Sequence, residues 1–203
     1  MKNTLLAIVL ASTGMIAAPG ISRAAEGDNG GFFINGNVGQ SSLDKGAYND
    51  SDTGYGANIG YRWALNPSVA LGIEAGYTQL GEFNVKNSIS TVGLPDAGIQ
   101  GWNAGVNGHF NISPNWYFSG RTGLFRGDVK GVYFAGSSGS YGTPGSTPVY
   151  VDGTSTKYYA GAGFGYDFNN NLSVGLNYDY YKVDKQGLYF GPDLVSVSAE
   201  YRF

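Results

Sequence analysis

A chain of 203 residues without cysteine and with 13% charged residues is long enough for one domain but carries no disulfide framework, so its fold must rest on backbone pairing and burial. A formal net charge of −3 argues against a nucleic-acid partner. Thirty-four glycines, 16 tyrosines and 11 phenylalanines, set in alternating segments, exclude disordered, collagen-like and linker readings and point to strands.

In chain order, Lys2 precedes an uncharged apolar run from Leu5 to Ala18, a Pro19-Gly20 break follows, and Ser22-Arg23-Ala24 offers small residues at the positions a signal peptidase reads. Residues 1–24 are therefore expected to be a cleaved secretory signal, leaving 25–203 as one folded domain. The apolar run is too short to span a bilayer as a helix. Loss of Lys2 and Arg23 leaves ten basic residues against fifteen acidic ones, so the exported chain is mildly acidic, near −5.

Period-two alternation predicts eight strands, at 32–43, 53–63, 68–79, 99–110, 115–128, 155–168, 172–183 and 193–203. In the last of these, Val195, Val197, Ala199, Tyr201 and Phe203 alternate with Ser196, Ser198, Glu200 and Arg202. Ending mid-strand on an aromatic suits a stave that pairs with the start of its own sheet and leaves no edge. Three connections, Ala64-Leu-Asn-Pro67, Asn111-Ile-Ser-Pro-Asn115 and Asn169-Asn-Asn171, are tight and rich in turn formers. The other four, 44–52, 80–98, 129–154 and 184–192, are predicted as long loops. An even strand count with short turns at one rim and long loops at the other is the layout of an all-β, eight-stranded, antiparallel up-and-down transmembrane barrel, its short side periplasmic.

Volume decides which face points inward. One parity carries Tyr55, Ile59, Tyr61, Trp63, Leu71, Ile73, Tyr77, Trp102, Val106, Trp116, Phe118, Tyr158, Phe164, Phe168, Leu176 and Tyr178; the other carries Gly54, Asn58, Gly72, Gly76, Gly101, Asn103, Asn107, Gly161, Gly163, Gly165, Ser173 and Asn177. Eight strands enclose only a side-chain-wide interior, so the bulky set must face lipid and the small polar set the lumen. Trp63, Phe110, Trp116, Phe168, Tyr201 and Phe203 flank the short turns, and Tyr77, Tyr158 and Tyr180 lie toward the long loops, as two interfacial belts.

Glu74, Arg121, Asp179 and Glu200 fall on the inward parity, with Arg62, His109, Asp167 and Arg202 on the same side nearer the short turns. Charges in a narrow lumen must pair, which predicts an ion-pair plug. The alternative is a narrow porin-like channel for small solutes or ions, gated at Glu74, Arg121 and Asp179. His109, the single histidine, sits one residue before a short turn, at the periplasmic end, so it is badly placed for acyl chemistry in the outer leaflet and no catalytic residue is assigned. Gly161-x-Gly163-x-Gly165 has no following helix to complete a phosphate site and is read as thinning the lumen face. No cofactor or metal is expected.

Arg126, Lys130, Lys157 and Lys182 gather toward the long-loop rim, where they are expected either to be solvated or to pair with lipopolysaccharide phosphates. Loop 129–154 sets Tyr133, Phe134, Tyr141, Val149 and Tyr150 in a Gly, Ser and Pro frame suited to contact with host or other surface factors.

The Gly-aromatic strand Tyr159-Ala-Gly-Ala-Gly-Phe-Gly-Tyr-Asp-Phe168 and the closing Val197-Ser-Ala-Glu-Tyr-Arg-Phe203, behind a signal peptide, resemble the small outer-membrane barrels, the transmembrane domain of OmpA and the OmpX/Ail adhesion-type proteins. The resemblance covers essentially all of the exported chain. It implies a barrel of the Gram-negative outer membrane and recognition of Tyr201 and Phe203 by the barrel assembly machinery; in one departure from OmpA no periplasmic peptidoglycan-binding domain is expected after the barrel, as in the stand-alone members. The reading as a whole is a monomeric, non-enzymatic barrel in contact with outer-membrane lipid, with a role in envelope integrity and surface adhesion through its long loops.

Overall fold

The computed structural model describes residues 30–45, 48–83, 97–135, 147–185 and 188–203. The expected signal segment 1–24 lies outside them, as do most of loop 80–98 and the Gly-Ser tip of loop 129–154. Among the described residues there are ten strands: β1 (Gly31–Lys45), β2 (Tyr48–Asn66), β3 (Val69–Phe83), β4 (Ala97–Asn111), β5 (Trp116–Ala135), β6 (Thr147–Asp167), β7 (Leu172–Tyr181), β8 (Val183–Lys185), β9 (Leu188–Phe190) and β10 (Asp193–Arg202). β1–β7 and β10 make one closed antiparallel barrel in chain order, and β8 and β9 form a separate two-stranded sheet. The ring closes where β1 meets β10, from Phe33 opposite Arg202 to Ser42 opposite Asp193, and Phe203 N–H donates to the Phe32 carbonyl at 2.9 Å. The last strand thus pairs with the first, as its alternation predicts.

The tight turns at the short rim are made by their asparagines. Asn66 Oδ1 accepts from Ser68 N–H at 2.9 Å, and Asn169 Oδ1 accepts from both Asn171 and Leu172 N–H at 2.8 Å, so the side chain replaces a backbone acceptor where the chain reverses.

At the other rim the strands run further than the alternation predicts. β1 and β2 stay paired up to Lys45 and Tyr48, and β5 and β6 up to Ala135 and Thr147, so most of the segments expected as loops 44–52 and 129–154 are hairpin. The expected loop 184–192 holds the β8–β9 hairpin. Composition hid this because an antiparallel ladder held by backbone bonds tolerates Gly, Ser and Asp once neither face is obliged to be apolar.

Burial confirms the assignment of faces. Trp102 is 67% exposed, Leu124 and Leu176 61%, whereas Glu74 is 7% exposed and Asp179 fully buried. Tyr77 and Trp102 meet edge-on at 5.2 Å in the upper belt, and Tyr201 and Phe203 at 5.0 Å in the lower.

The expectation of a uniformly small, polar lumen needs correction. Phe33, Tyr117, Phe125, Tyr159 and Tyr181 also point inward and are buried. Glycines make room for most of them: a Cβ on Gly60 would come within 2.5 Å of Phe33 Cζ, and one on Gly165 within 2.5 Å of the Tyr117 ring. Toward the long-loop rim, Leu43, Leu80, Ile99, Phe125, Tyr159, Tyr181, Val183 and Leu194 join into one apolar cluster inside the barrel.

Replacing Gly165 by valine forces Tyr117 aside and is expected to cost about 1–3 kcal/mol. Gly36→Val, at a position with no atom within 4 Å of an added Cβ, is expected to stay within about 0.5 kcal/mol of wild type. Urea unfolding of both variants in lipid vesicles checks the contrast.

Candidate functional site

The charged and polar side chains of the lumen tie together strands that are not neighbours in the sheet. Arg62 on β2 reaches past β1 to Glu200 on β10 with a two-pronged ion pair, Nη2 donating to Oε2 at 2.9 Å and Nη1 to Oε1, while its Nε donates to Asn107 Oδ1 on β4 at 2.6 Å. Its guanidinium also covers the Phe33 ring at 4.1 Å. Arg202 donates through Nη2 to Asp167 Oδ1 at 2.8 Å and to Ser173 Oγ at 2.6 Å. His109 on β4 meets Asp167 Oδ2 on β6 at 3.1 Å and stacks on Tyr117 at 4.1 Å.

Higher in the lumen, Arg121 and Asp179 form a second two-pronged pair, with Nε donating to Oδ1 at 2.7 Å and Nη2 to Oδ2. Register explains how they meet. Arg121 on β5 lies opposite Gly161 on β6, which lies opposite Asp179 on β7. The arginine crosses β6 over a residue with no side chain, and a methyl there would collide with the Asp179 carboxylate. Glu74 is bonded differently: Tyr159 O–H donates to Oε1 at 2.8 Å and Asn107 Nδ2 to Oε2 at 3.2 Å. Asn103 Nδ2 donates to Asn58 Oδ1 at 2.7 Å beside it.

The lumen residues anticipated from parity therefore come together: Arg62 with Glu200 and Arg202, joined through Asn107 to Glu74 and its neutral partners, and Arg121 with Asp179. Asn107 and Ser173, expected in the lumen from parity, complete the network together with Tyr159, which was not anticipated. Tyr159 had a signal, since it follows Tyr158 directly and two adjacent rings on a strand must take opposite faces. Between the groups lies a polar cavity of about 40 Å³, lined by Arg62, Glu74, His109, Tyr117 and Arg121 among others, with room for a few waters.

At the upper rim Arg126 pairs in register with outward Trp102 and faces out, and Lys182 Nζ sits 5.4 Å from the Tyr158 ring centroid on the same outer surface. Lys157 shares the inward parity of buried Ser155 and Tyr159. The Lys130 side chain lies outside the described residues. Tyr201 and Phe203 face outward at the barrel seam, where Phe203 also packs on Phe32 at 5.7 Å.

A buried pair broken on one side leaves an uncompensated charge. Arg121→Met strands the fully buried Asp179 and is expected to destabilise the folded barrel by about 3–5 kcal/mol, whereas adding Asp179→Leu should recover at least half of that loss. A double-mutant cycle by urea titration in vesicles reads both.

No curated protein matches the chain in sequence. Among solved structures the barrel resembles Ail, the attachment invasion locus protein of Yersinia pestis, at 20% identity over 86% of this chain and 99% of that one, with a TM-score of 0.56. It also resembles Ail in complex with the heparin analogue sucrose octasulfate, at 19% identity over the same shares and a TM-score of 0.55. The outer membrane protein AlkL, seen in lipid bilayers, is 14% identical over 93% of this chain and 97% of that one, with a TM-score of 0.50. At these identities the likeness is one of fold. Residues 8–203 match the family described as outer membrane protein beta-barrel domain, and the chain, with its lipid-facing rings, closed sheet and paired lumen charges, belongs to that family and to the outer membrane of a Gram-negative cell.

Proposed function

We propose that this barrel is a non-enzymatic, monomeric structural component of the outer membrane that holds lipopolysaccharide at its upper rim and presents its extended hairpins for surface contact. The observation that carries the reading is the cross-braced lumen: ion pairs and hydrogen bonds join next-but-one strands across it, around a polar cavity of about 40 Å³. An interior so cross-braced suits a wall component. His109, 1% exposed and held between Asp167 and the Tyr117 ring, is built into that bracing rather than offered to a substrate.

Arg126 and Lys182 supply the lipopolysaccharide contact. Both stand on the outer surface at the level of the upper belt, beside Trp102 and Tyr158, where lipid phosphates lie and where each cation near an anionic surface contributes about 1 kcal/mol. The β5–β6 hairpin, paired to Ala135 and Thr147, carries chain well beyond that belt and supplies the surface for adhesion. Tyr201 and Phe203, outward at the seam, are the residues offered to the assembly machinery.

Thermal unfolding in vesicles with and without lipopolysaccharide tests the reading. Lipopolysaccharide should raise the midpoint of wild type and of Lys157→Gln alike, and the Arg126→Gln/Lys182→Gln double variant should lose most of that gain. An undiminished gain in the double variant contradicts the assigned contact.

A further inference from the structure

Most of the described cations are inside the barrel. Arg62, Arg121, Lys157 and Arg202 face the lumen, and of the arginine and lysine side chains described only Arg126 and Lys182 face out. The two outer ones are neighbours. Arg126 on β5 lies opposite Thr156 on β6, and Lys182, just past the end of β7, donates its N–H to the carbonyl of Tyr158, two residues further along β6. Two inter-strand gaps of about 4.8 Å and two residues of rise at about 3.3 Å each place their α-carbons about 12 Å apart. Each has a ring of the upper belt as its cross-strand neighbour, Trp102 for Arg126 and Tyr158 for Lys182, so both stand at the depth where hydrocarbon gives way to headgroups. On β1–β3 the outward polar residues at this rim are neutral and bonded to one another, Gln40 to Ser51 and Tyr55 to Gln79.

Two carboxylates stand near the pair, and each is held by a hydroxyl instead of a cation. Asp128, two residues beyond Arg126 on the same outer face, accepts from Thr154 Oγ1 at 3.1 Å. Asp193, opposite Tyr180, accepts from the Tyr178 hydroxyl at 2.8 Å. Among the described residues neither Arg126 nor Lys182 has a carboxylate within ion-pair distance, so the guanidinium and the ammonium keep donors to offer. Seen from a distance, the four charges cancel. A diffuse anionic surface therefore gains little from this patch, whereas a phosphate in contact with each cation gains a charge-assisted hydrogen bond.

We propose, resting on the lipopolysaccharide contact assigned above, that Arg126 and Lys182 form a two-point clamp for diphosphoryl lipid A, one phosphate on each cation. The two phosphates of such a lipid stand at opposite ends of a pair of linked sugar rings, and the long arginine and lysine side chains adjust to that span. A lipid with one phosphate satisfies only one arm. The clamp thus reads the number and spacing of phosphates, not the charge of the leaflet.

Thermal midpoints in phosphatidylcholine vesicles carrying diphosphoryl lipid A, monophosphoryl lipid A or phosphatidylglycerol, matched for total lipid charge, test the clamp. Each gain is taken from the same protein's midpoint in phosphatidylcholine alone. Diphosphoryl lipid A should raise the wild-type midpoint at least twice as far as either other lipid. Arg126→Gln and Lys182→Gln should each cut that gain to the monophosphoryl level. Equal gains from the two lipid A species, both lost in the double variant, would overturn the clamp and leave the simple contact standing. A phosphatidylglycerol gain as large as the diphosphoryl one, or a single variant that keeps the full diphosphoryl gain, would also overturn it. Gains undiminished in the double variant would overturn clamp and contact together.

Discussion

Lipid offers no hydrogen bonds, so a sheet that enters it has to close, and eight strands close around an interior only as wide as the side chains that fill it. Most of what distinguishes this chain follows from that narrow cross-section. Large rings are driven to the outside, where Trp102, Leu124 and Leu176 stand more than half exposed to what is, in the cell, hydrocarbon. The inside is filled by glycine, asparagine, serine, a limited set of charges and the few large side chains, Phe33, Tyr117 and Phe125 among them, for which glycines leave room.

Filling the interior also braces it. Arg62 with Glu200, Arg121 with Asp179 and His109 with Asp167 each join a strand to the next but one. Backbone ladders already hold adjacent strands, so these side-chain ties add what the ladders lack, a constraint on the shape of the ring. Their energetic return is limited, because desolvating two charges offsets most of the attraction between them. What they specify is register: Arg121 reaches Asp179 only while Gly161 lies between them.

Much of this was legible in the sequence. Alternation alone placed Glu74, Arg62, Arg121, Asp179, Glu200 and Arg202 inside and the belts outside, because the face of a strand residue depends only on parity. Which charges meet was not legible, since Arg62 and Glu200 lie 138 residues apart and their approach depends on pairings fixed only when the sheet closes. The apolar cluster inside the barrel was missed although the sequence hinted at it: Leu124-Phe125, Tyr158-Tyr159 and Tyr180-Tyr181 each place one bulky side chain outside and its neighbour inside. The upper hairpins were hidden for another reason. Above the membrane neither face need be apolar, so Asp, Ser and Gly in a paired strand resemble a loop.

The central claim is that the ring-bearing face is bathed in lipid, and the three tryptophans report on it directly. Trp63, Trp102 and Trp116 all face outward, at the two belts. With the barrel refolded into vesicles of phosphatidylcholine brominated at defined acyl positions, their fluorescence should be strongly quenched by bromines near the headgroups, less by bromines near the bilayer centre, and little by aqueous acrylamide. Efficient quenching by acrylamide together with indifference to brominated lipid would put those rings in water or in the barrel's interior, and would contradict the account.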